Sequence, residues 1–188
     1  MNKNDLLKSI AISGYNVGFG TKKTYATYDI VQKVPGWIGL LSIIVSVVGL
    51  YREELSSKDV SAFFIFLSVA GLYINFYDNE KEKYDKIGKK QTEIYDSLRD
   101  LYHEVNGDEK PDANKYLERR SALMRDFSSV SVSKQIFGSN WYAHYKFFYE
   151  METGWIEEQR PFSWKDKVPK SFLLFIAAVI ILMFFYLC

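Results

Sequence analysis

Two uncharged stretches decide the fold of this chain: VPGWIGLLSIIVSVVGLY at residues 34–51 and VSAFFIFLSVAGLYINFY at residues 60–77. As a helix, each would span ~27 Å, close to the ~30 Å hydrocarbon thickness of a bilayer. The short segment between them, residues 52–59, is rich in charge. A soluble core helix can also be apolar on all sides. Two such helices of bilayer length joined by a short charged loop nevertheless favour a membrane hairpin.

The chain after the second stretch carries an apolar seam. Its residues recur at alternating steps of three and four, and they are Tyr84, Ile87, Gln91, Ile94, Leu98, Leu101 and Val105. This 3.5-residue repeat is typical of a supercoiled helix pair or bundle, in which a buried amide such as Gln91 fixes the register. Neither proline nor glycine lies between Tyr77 and Tyr84, so we expect the second span to continue unbroken into the seam. Two partners stay open for the seam: other copies of the chain, or the chain's own later helices. In the oligomer expected below, copies would associate through this seam.

Composition and charge narrow the class of protein. The 24 basic and 23 acidic residues nearly balance, which argues against general nucleic-acid binding. A third uncharged block begins at Ser171 and ends at Cys188, the one cysteine. Basic residues concentrate before the hairpin and between it and this third block. By the positive-inside rule, those two regions are cytoplasmic and Cys188 lies outside.

The sequence therefore predicts an all-α membrane protein in four parts. Residues 1–33 form an N-terminal cytoplasmic amphipathic segment with a short helix, and residues 34–77 form a transmembrane hairpin. The hairpin continues into a long coiled-coil-like helix within a small cytoplasmic helical region, residues 78–170. Residues 171–188 form a C-terminal transmembrane helix. Pro35 and Gly36 suit the opening turn of the first span.

A glycine-rich run at residues 14–24 invites comparison with a phosphate-binding loop. It fails that comparison, because a Walker loop needs a glycine directly before Lys-Ser/Thr and another glycine five residues earlier. Here Gly20 is followed by Thr21. We expect close helix packing or a kink instead.

Small and polar residues follow one side of each span. Candidates for lining a pore are Ser42, Ser46, Gly49, Ser61, Ser68, Asn75 and Asp78. Small residues allow helices to approach closely, and Asn75 needs a partner or water. Such polar residues more commonly form hydrogen bonds between helices. The alternative, more specific explanation is that they line a pore built by several copies. In such a pore, a ring of Asp78 with Glu80 and Glu82 would favour cations.

The cytoplasmic region offers weaker candidates for ligand or partner contacts: Arg119, Arg125, Trp141 and His144. We predict that one helix ends at Gly107 and that the next covers about residues 115–127, capped by Asp112 or Asn114. Its arginines could bind phosphate, or they could form a solvated charged face.

The densest aromatic segment covers residues 140–155. Its face of Trp141, Tyr145, Phe148, Glu152 and Trp155 is expected to be core, with base stacking or contact with the membrane surface as alternatives. His144 is expected to be a hydrogen-bonded structural histidine. We find no metal-ligand set, no cofactor motif and no catalytic constellation, so an enzyme is the weakest option.

Several segments together resemble the SLATT family. They are the run from Gly14 to Lys23, the two apolar helices, Tyr95 with the Leu98–Tyr102 run, and Trp141–Lys146. The family comprises bacterial two-transmembrane effectors associated with nucleotidyltransferase-based defence systems. The third apolar block looks like a C-terminal addition of one subgroup. The resemblance implies membrane pores that depolarise or kill a phage-infected cell when a nucleotide signal, or its loss, releases them.

We therefore expect an oligomeric, ion-conducting effector of the bacterial inner membrane that acts by abortive infection. Expected partners are the lipid bilayer, further copies of the chain (a tetramer being one candidate), conducted cations, and a neighbouring nucleotidyltransferase or its nucleotide product. The alternative is a non-conducting, membrane-anchored scaffold or sensor of a nucleotide or protein.

Overall fold

The computed structural model describes residues 1–187, apart from the side chains of Ser56 and of residues 185–187. No strand occurs within these residues. The helices are α1 (Lys3–Gly49), α2 (Lys58–Asn75), α3 (Lys81–Gly107), α4 (Ala113–Val130), α5 (Ser139–Glu150), α6 (Gly154–Glu157) and α7 (Lys170–Leu187). Short 3-10 turns occupy Glu53–Ser56 and Asp78–Glu80. Cys188, the expected end of the third span, lies outside the described residues.

Helix α1 covers both the N-terminal segment and the first span, which the sequence analysis treated as separate parts. It runs through 47 residues without a break, so the short separate helix expected within residues 1–33 is wrong. Pro35 and Gly36 lie inside this helix rather than in an opening turn. A mid-helix proline removes one backbone hydrogen bond, and α1 continues through Pro35 without that bond. The amphipathic segment and the first span are thus one rod.

The N-terminal half of α1 lies at the centre of a helical bundle formed with α3, α4, α5 and α6. Its Leu6, Ile10 and Val17 are fully buried. They belong to one apolar cluster with Leu98, Leu101 and other seam residues of α3. An amphipathic helix gains most of its stability from such burial.

The heptad seam of α3 is buried within the monomer. Tyr84, Gln91, Ile94, Leu98, Leu101 and Val105 are all at most 3% exposed, and Ile87 is half-buried. Their main partner is α1, an earlier helix rather than a later one. This corrects the assignment of the seam to contacts between copies, because side chains already covered by α1 have no free surface for a second chain.

Glycines of α1 allow aromatic side chains to approach its backbone. A Cβ on Gly14 would lie 2.0 Å from the ring of Trp155. A Cβ on Gly20 would lie 2.7 Å from the ring of Phe127, and one on Gly18 would lie 2.9 Å from that of Tyr95. Real Cβ atoms do not come this close to a ring. The expectation of close helix packing at this glycine-rich run is confirmed.

The second span does not continue unbroken into α3. A turn at Phe76 and Tyr77 and the 3-10 turn Asp78–Glu80 separate α2 from α3. Tyr77 packs here in a second apolar cluster with Val31, Ile74, Tyr84 and Ile136. The interruption places the Tyr77 side chain, only 8% exposed, inside that cluster.

The end of α3 and the start of α4 agree with the sequence prediction, but the length of α4 does not. Helix α3 ends at Gly107 as predicted, and the Asp112 carboxylate caps α4 by accepting from the backbone N–H groups of Asn114 and Lys115. Helix α4 is longer than the predicted residues 115–127.

Helix α5 buries a different face from the expected one. Its buried residues are Ser139, Ala143 and Phe147, while Tyr145 is 53% exposed. The expected face assumed one helix through Trp155, but the chain leaves the helix after Glu150 and starts α6 at Gly154. Trp155 reaches the core from α6 and is 3% exposed.

Candidate functional site

The hairpin of α1 and α2 exposes a broad apolar surface. Ile43, Ile65 and Phe66 are 64%, 66% and 69% exposed. The two apolar stretches long enough to cross a membrane are only 6% and 11% buried. The core helices of a soluble protein are mostly covered by protein, whereas these are not. An exposed apolar surface of this extent favours contact with lipid or with other subunits.

A groove between α1 and α2 collects the small and polar residues that the sequence singled out. Its first section, with a volume of about 480 Å³, is lined by Ser42, Ser46, Gly49, Ser61, Ser68 and four apolar residues. The adjoining section is lined by Pro35, Ile38, Gly39, Ser42, Ser68, Gly71, Leu72 and Asn75. Because both sections share Ser42 and Ser68, they form one continuous feature, called the polar groove below.

Serine hydroxyls of the polar groove donate within their own helices. Ser42 donates to the carbonyl of Ile38 at 2.8 Å, and Ser68 donates to that of Phe64 at 2.8 Å. Ser46 and Ser61 follow the same pattern, each donating to the carbonyl four residues earlier. A hydroxyl has one donor and two acceptor lone pairs. The donors are therefore used within each helix, and the oxygen atoms can still accept hydrogen bonds from water.

Acidic residues beyond Asn75 are held by lysines. Asn75 is the last residue of α2 and lines the groove, whereas Asp78 does not. The Asp78 carboxylate lies 3.0 Å from the Lys81 ammonium. Glu80 accepts from Lys134 at 2.8 Å, and this hydrogen bond lowers the pKa of its carboxyl group. Each acid therefore has a local counter-charge.

An ion network that the sequence did not reveal ties α5 to α1 near the start of the hairpin. The Asp29 carboxylate lies 2.7 Å from the Lys33 ammonium and 2.7 Å from that of Lys146. Burial alone would raise the pKa of Asp29, but the hydrogen bonds from Lys146 and Lys33 outweigh it and hold the pKa below its usual value. The Asp29–Lys33 spacing signals an i,i+4 pair, but nothing in the sequence points to Lys146.

The predicted ligand contacts fall into two groups. Arg119 on α4 donates from Nη1 to both carboxylate oxygens of Glu104, each at 2.8 Å, and Arg125 is exposed on the same helix. On α5, His144 Nδ1 lies 2.9 Å from the Asn140 carbonyl, as expected of a structural histidine.

Trp141 and His144 line a pocket of about 330 Å³ together with Tyr145, Tyr149, Lys167, Val168, Pro169 and Phe172. We call it the α5 pocket. The arginines of α4 are not among its lining residues, so the structure does not bring the two predicted groups together.

Helix α7 is joined to the bundle through Trp141. The Trp141 indole N–H donates to the Ser171 hydroxyl at 3.0 Å, and its ring packs on Phe172 and Phe175 with centroid distances of 5.4 and 5.2 Å. Phe137, which precedes α5, packs its ring against that of Trp141. The backbone N–H of Phe137 donates to the Tyr73 hydroxyl of α2. A chain of contacts through Phe137 and Trp141 therefore links the start of α7 to Tyr73 near the end of α2.

The fold defines an all-helical protein in which a small bundle carries two candidate membrane spans, and no metal-binding group occurs among the described residues. A family model for the SMODS and SLOG-associating 2TM effector domain 6 matches residues 1–176. The chain belongs to this family, so the SLATT resemblance is confirmed and the chain carries a two-transmembrane effector domain. The match ends at Ile176, inside α7. Nothing among curated proteins or solved structures matches the chain.

Proposed function

We propose that this protein is a pore-forming membrane effector of a bacterial anti-phage defence system. Several copies assemble so that their polar grooves surround an ion pathway, and opening depolarises the membrane and aborts the infection. A nucleotide signal or a partner nucleotidyltransferase gates it through the cytoplasmic bundle. The observation that carries the proposal is the polar groove, in which small and polar residues from both spans converge while the rest of the hairpin surface is apolar.

The groove has a physical reason to face other copies. Hydrocarbon offers no partner to the Asn75 amide or to the acceptor lone pairs of Ser42 and Ser68, and each unsatisfied group costs free energy in lipid. A ring of grooves would enclose water and satisfy them. Rings of polar side chains are also how channels replace part of an ion's hydration shell.

The proposed topology places the bundle in the cytoplasm and the hairpin in the inner membrane. Lys22, Lys23, Lys33, Lys81 and Lys83 flank the start and end of the hairpin on the bundle side, as the positive-inside rule requires. Helix α7 is proposed to enter the same membrane as a third span with its end outside, and the contacts that link its start to Tyr73 of α2 through Phe137 and Trp141 support this.

Assembly is proposed to use the hairpin rather than the α3 seam. The seam is already covered by α1, whereas both sections of the groove are open. A tetramer is the starting hypothesis for the number of copies. Cation selectivity is expected to be modest, because Asp78 and Glu80 each have a lysine within 3.0 Å.

Planar-bilayer recording on purified protein tests the pore. We expect channel currents, and we expect Asn75→Leu to reduce single-channel conductance severalfold by replacing a polar lining group with an apolar one. Phe76→Leu is the matched control, because Phe76 is 77% exposed and does not line the groove. Absence of current in every ligand and partner state, or equal conductance of Asn75→Leu and wild type, contradicts the proposal.

The α5 pocket favours the second candidate, a non-conducting sensor anchored by the spans. Its aromatic lining and Lys167 could hold an effector molecule. A chimera separates the two functions. If an unrelated hairpin in place of residues 34–77 preserves defence against phage, the spans are only anchors.

A further inference from the structure

We propose that the α5 pocket binds one anionic phospholipid of the bilayer, with the phosphate at Lys167 and the acyl chains along Trp141 and Phe172. This inference rests on the proposed membrane insertion of the hairpin and α7, but not on conduction. It assigns a function to a pocket that the pore does not use.

The pocket lies where the bundle meets the proposed membrane surface. Trp141 and Phe172 pack together at the start of α7, and Phe137 links Trp141 to the Tyr73 hydroxyl near the end of α2. Tyr149 lies two turns further along α5, ~12 Å away at about 1.5 Å per residue. The pocket therefore extends from the start of an apolar span towards the cytoplasmic bundle.

The lining changes character along that direction. At the α7 end it consists of the rings of Trp141 and Phe172, and α7 continues past Phe172 with the exposed apolar side chains of Leu173, Leu174 and Phe175. The other lining residues include Lys167, which precedes α7 in the chain, and the hydroxyl-bearing Tyr145 and Tyr149 further along α5. An apolar channel that leads to a cationic and hydrogen-bonding end matches the two halves of a phospholipid.

Local charge selects an anionic head group. Among the side chains that the structure describes, none forms an ion pair with the Lys167 ammonium. The one acid beside it in sequence, Asp166, accepts from the backbone N–H and the hydroxyl of Ser163, at 2.9 and 2.7 Å. Lys170, whose charge acts on the neighbouring Asp166 carboxyl group, adds positive charge nearby. A phosphate is the group that such a site attracts from a membrane.

Native mass spectrometry of the full chain in detergent tests the proposal, with phosphatidylglycerol and phosphatidylcholine added in equal amounts. We expect wild type to retain one phosphatidylglycerol preferentially. Each basic residue near an anionic membrane is worth about a fivefold change in affinity. Reversing the charge with Lys167→Glu should therefore weaken retention about 25-fold.

Lys165→Glu is the matched control, because it makes the same change of net charge two residues away and outside the pocket lining. It should weaken retention less than fivefold. Equal retention of the two lipids by wild type, or equal losses in the two variants, overturns the assignment. Release of the lipid by millimolar glycerol phosphate, which has no acyl chains, would show a plain anion site and also overturn it.

Carbonate extraction of membranes that contain wild type distinguishes this failure from failure of membrane insertion. Protein that resists extraction but shows no lipid preference refutes the lipid site alone. Protein that is extracted refutes both proposals.

Discussion

The packing of Trp155 over Gly14 makes the sharpest prediction about the bundle. A Cβ at position 14 would lie 2.0, 2.7 and 3.0 Å from three carbons of the indole ring. That ring is 3% exposed, stands between Tyr95 and Tyr102, and donates its N–H to the Tyr95 hydroxyl at 3.1 Å. It therefore cannot move aside without disturbing its neighbours.

The expected cost of Gly14→Ala follows from two opposing effects. Overpacking a well-packed core costs about 1–3 kcal/mol, and the overlap here is large enough for the upper end of that range. Alanine regains about 1 kcal/mol because it is the better helix former. We expect a net loss of about 1–2 kcal/mol in the free energy of unfolding. For a chain of this size, that corresponds to a Tm lower by about 2–8 °C.

Thermal unfolding in detergent, followed by far-ultraviolet circular dichroism, measures this change. Gly107→Ala is the matched control, because a Cβ at this α3 position meets nothing within 4 Å, and its Tm should stay unchanged or rise slightly. Trp155→Phe removes the outer ring atoms that clash. In that background Gly14→Ala should cost at least 1 kcal/mol less than in wild type. A Gly14→Ala variant as stable as wild type, or costs that simply add in the double variant, refutes the packing argument.

Three further predictions concern the ion network, the α4 arginine and the third span. The lowered pKa of Asp29 means that its stabilisation is complete above the unfolded pKa of about 3.9 and is lost as the pH falls through the folded pKa. Asp29→Asn should therefore lower the Tm at pH 7 by the equivalent of about 1.5–3 kcal/mol in the free energy of unfolding, which is what hydrogen bonds to a charged group contribute. The difference in Tm from wild type should close below about pH 4. Arg119→Ala should cost less than about 1 kcal/mol, because its pair with Glu104 is 45% exposed on both sides; a larger loss of Tm would show that this pair is structurally essential. Cys188, the one thiol, should react with a membrane-impermeant maleimide in intact spheroplasts, and labelling only after lysis would contradict the three-span topology.

Local patterns in the sequence determined much of this protein. Length and absence of charge identify the spans because crossing a bilayer depends on a run of neighbouring residues. The spacing of Ser42, Ser46, Ser61, Ser68 and Asn75 placed them on one side of each helix, and the structure gathers all five in the polar groove. The helix stop at Gly107 and the cap at Asp112 are equally local. The SLATT family followed from short motifs within these segments.

Only the tertiary structure decided which surfaces meet. A heptad seam shows that α3 needs an apolar partner but not which one, and the partner is α1. Pro35 and Gly36 suit the opening turn of a helix by their own preferences, yet α1 begins at Lys3 within the bundle and continues through them. The Asp29–Lys146 ion pair and the Trp141–α7 contact join residues distant in sequence. Such contacts depend on how whole helices stack, because burial is a property of the assembled bundle and not of any one segment.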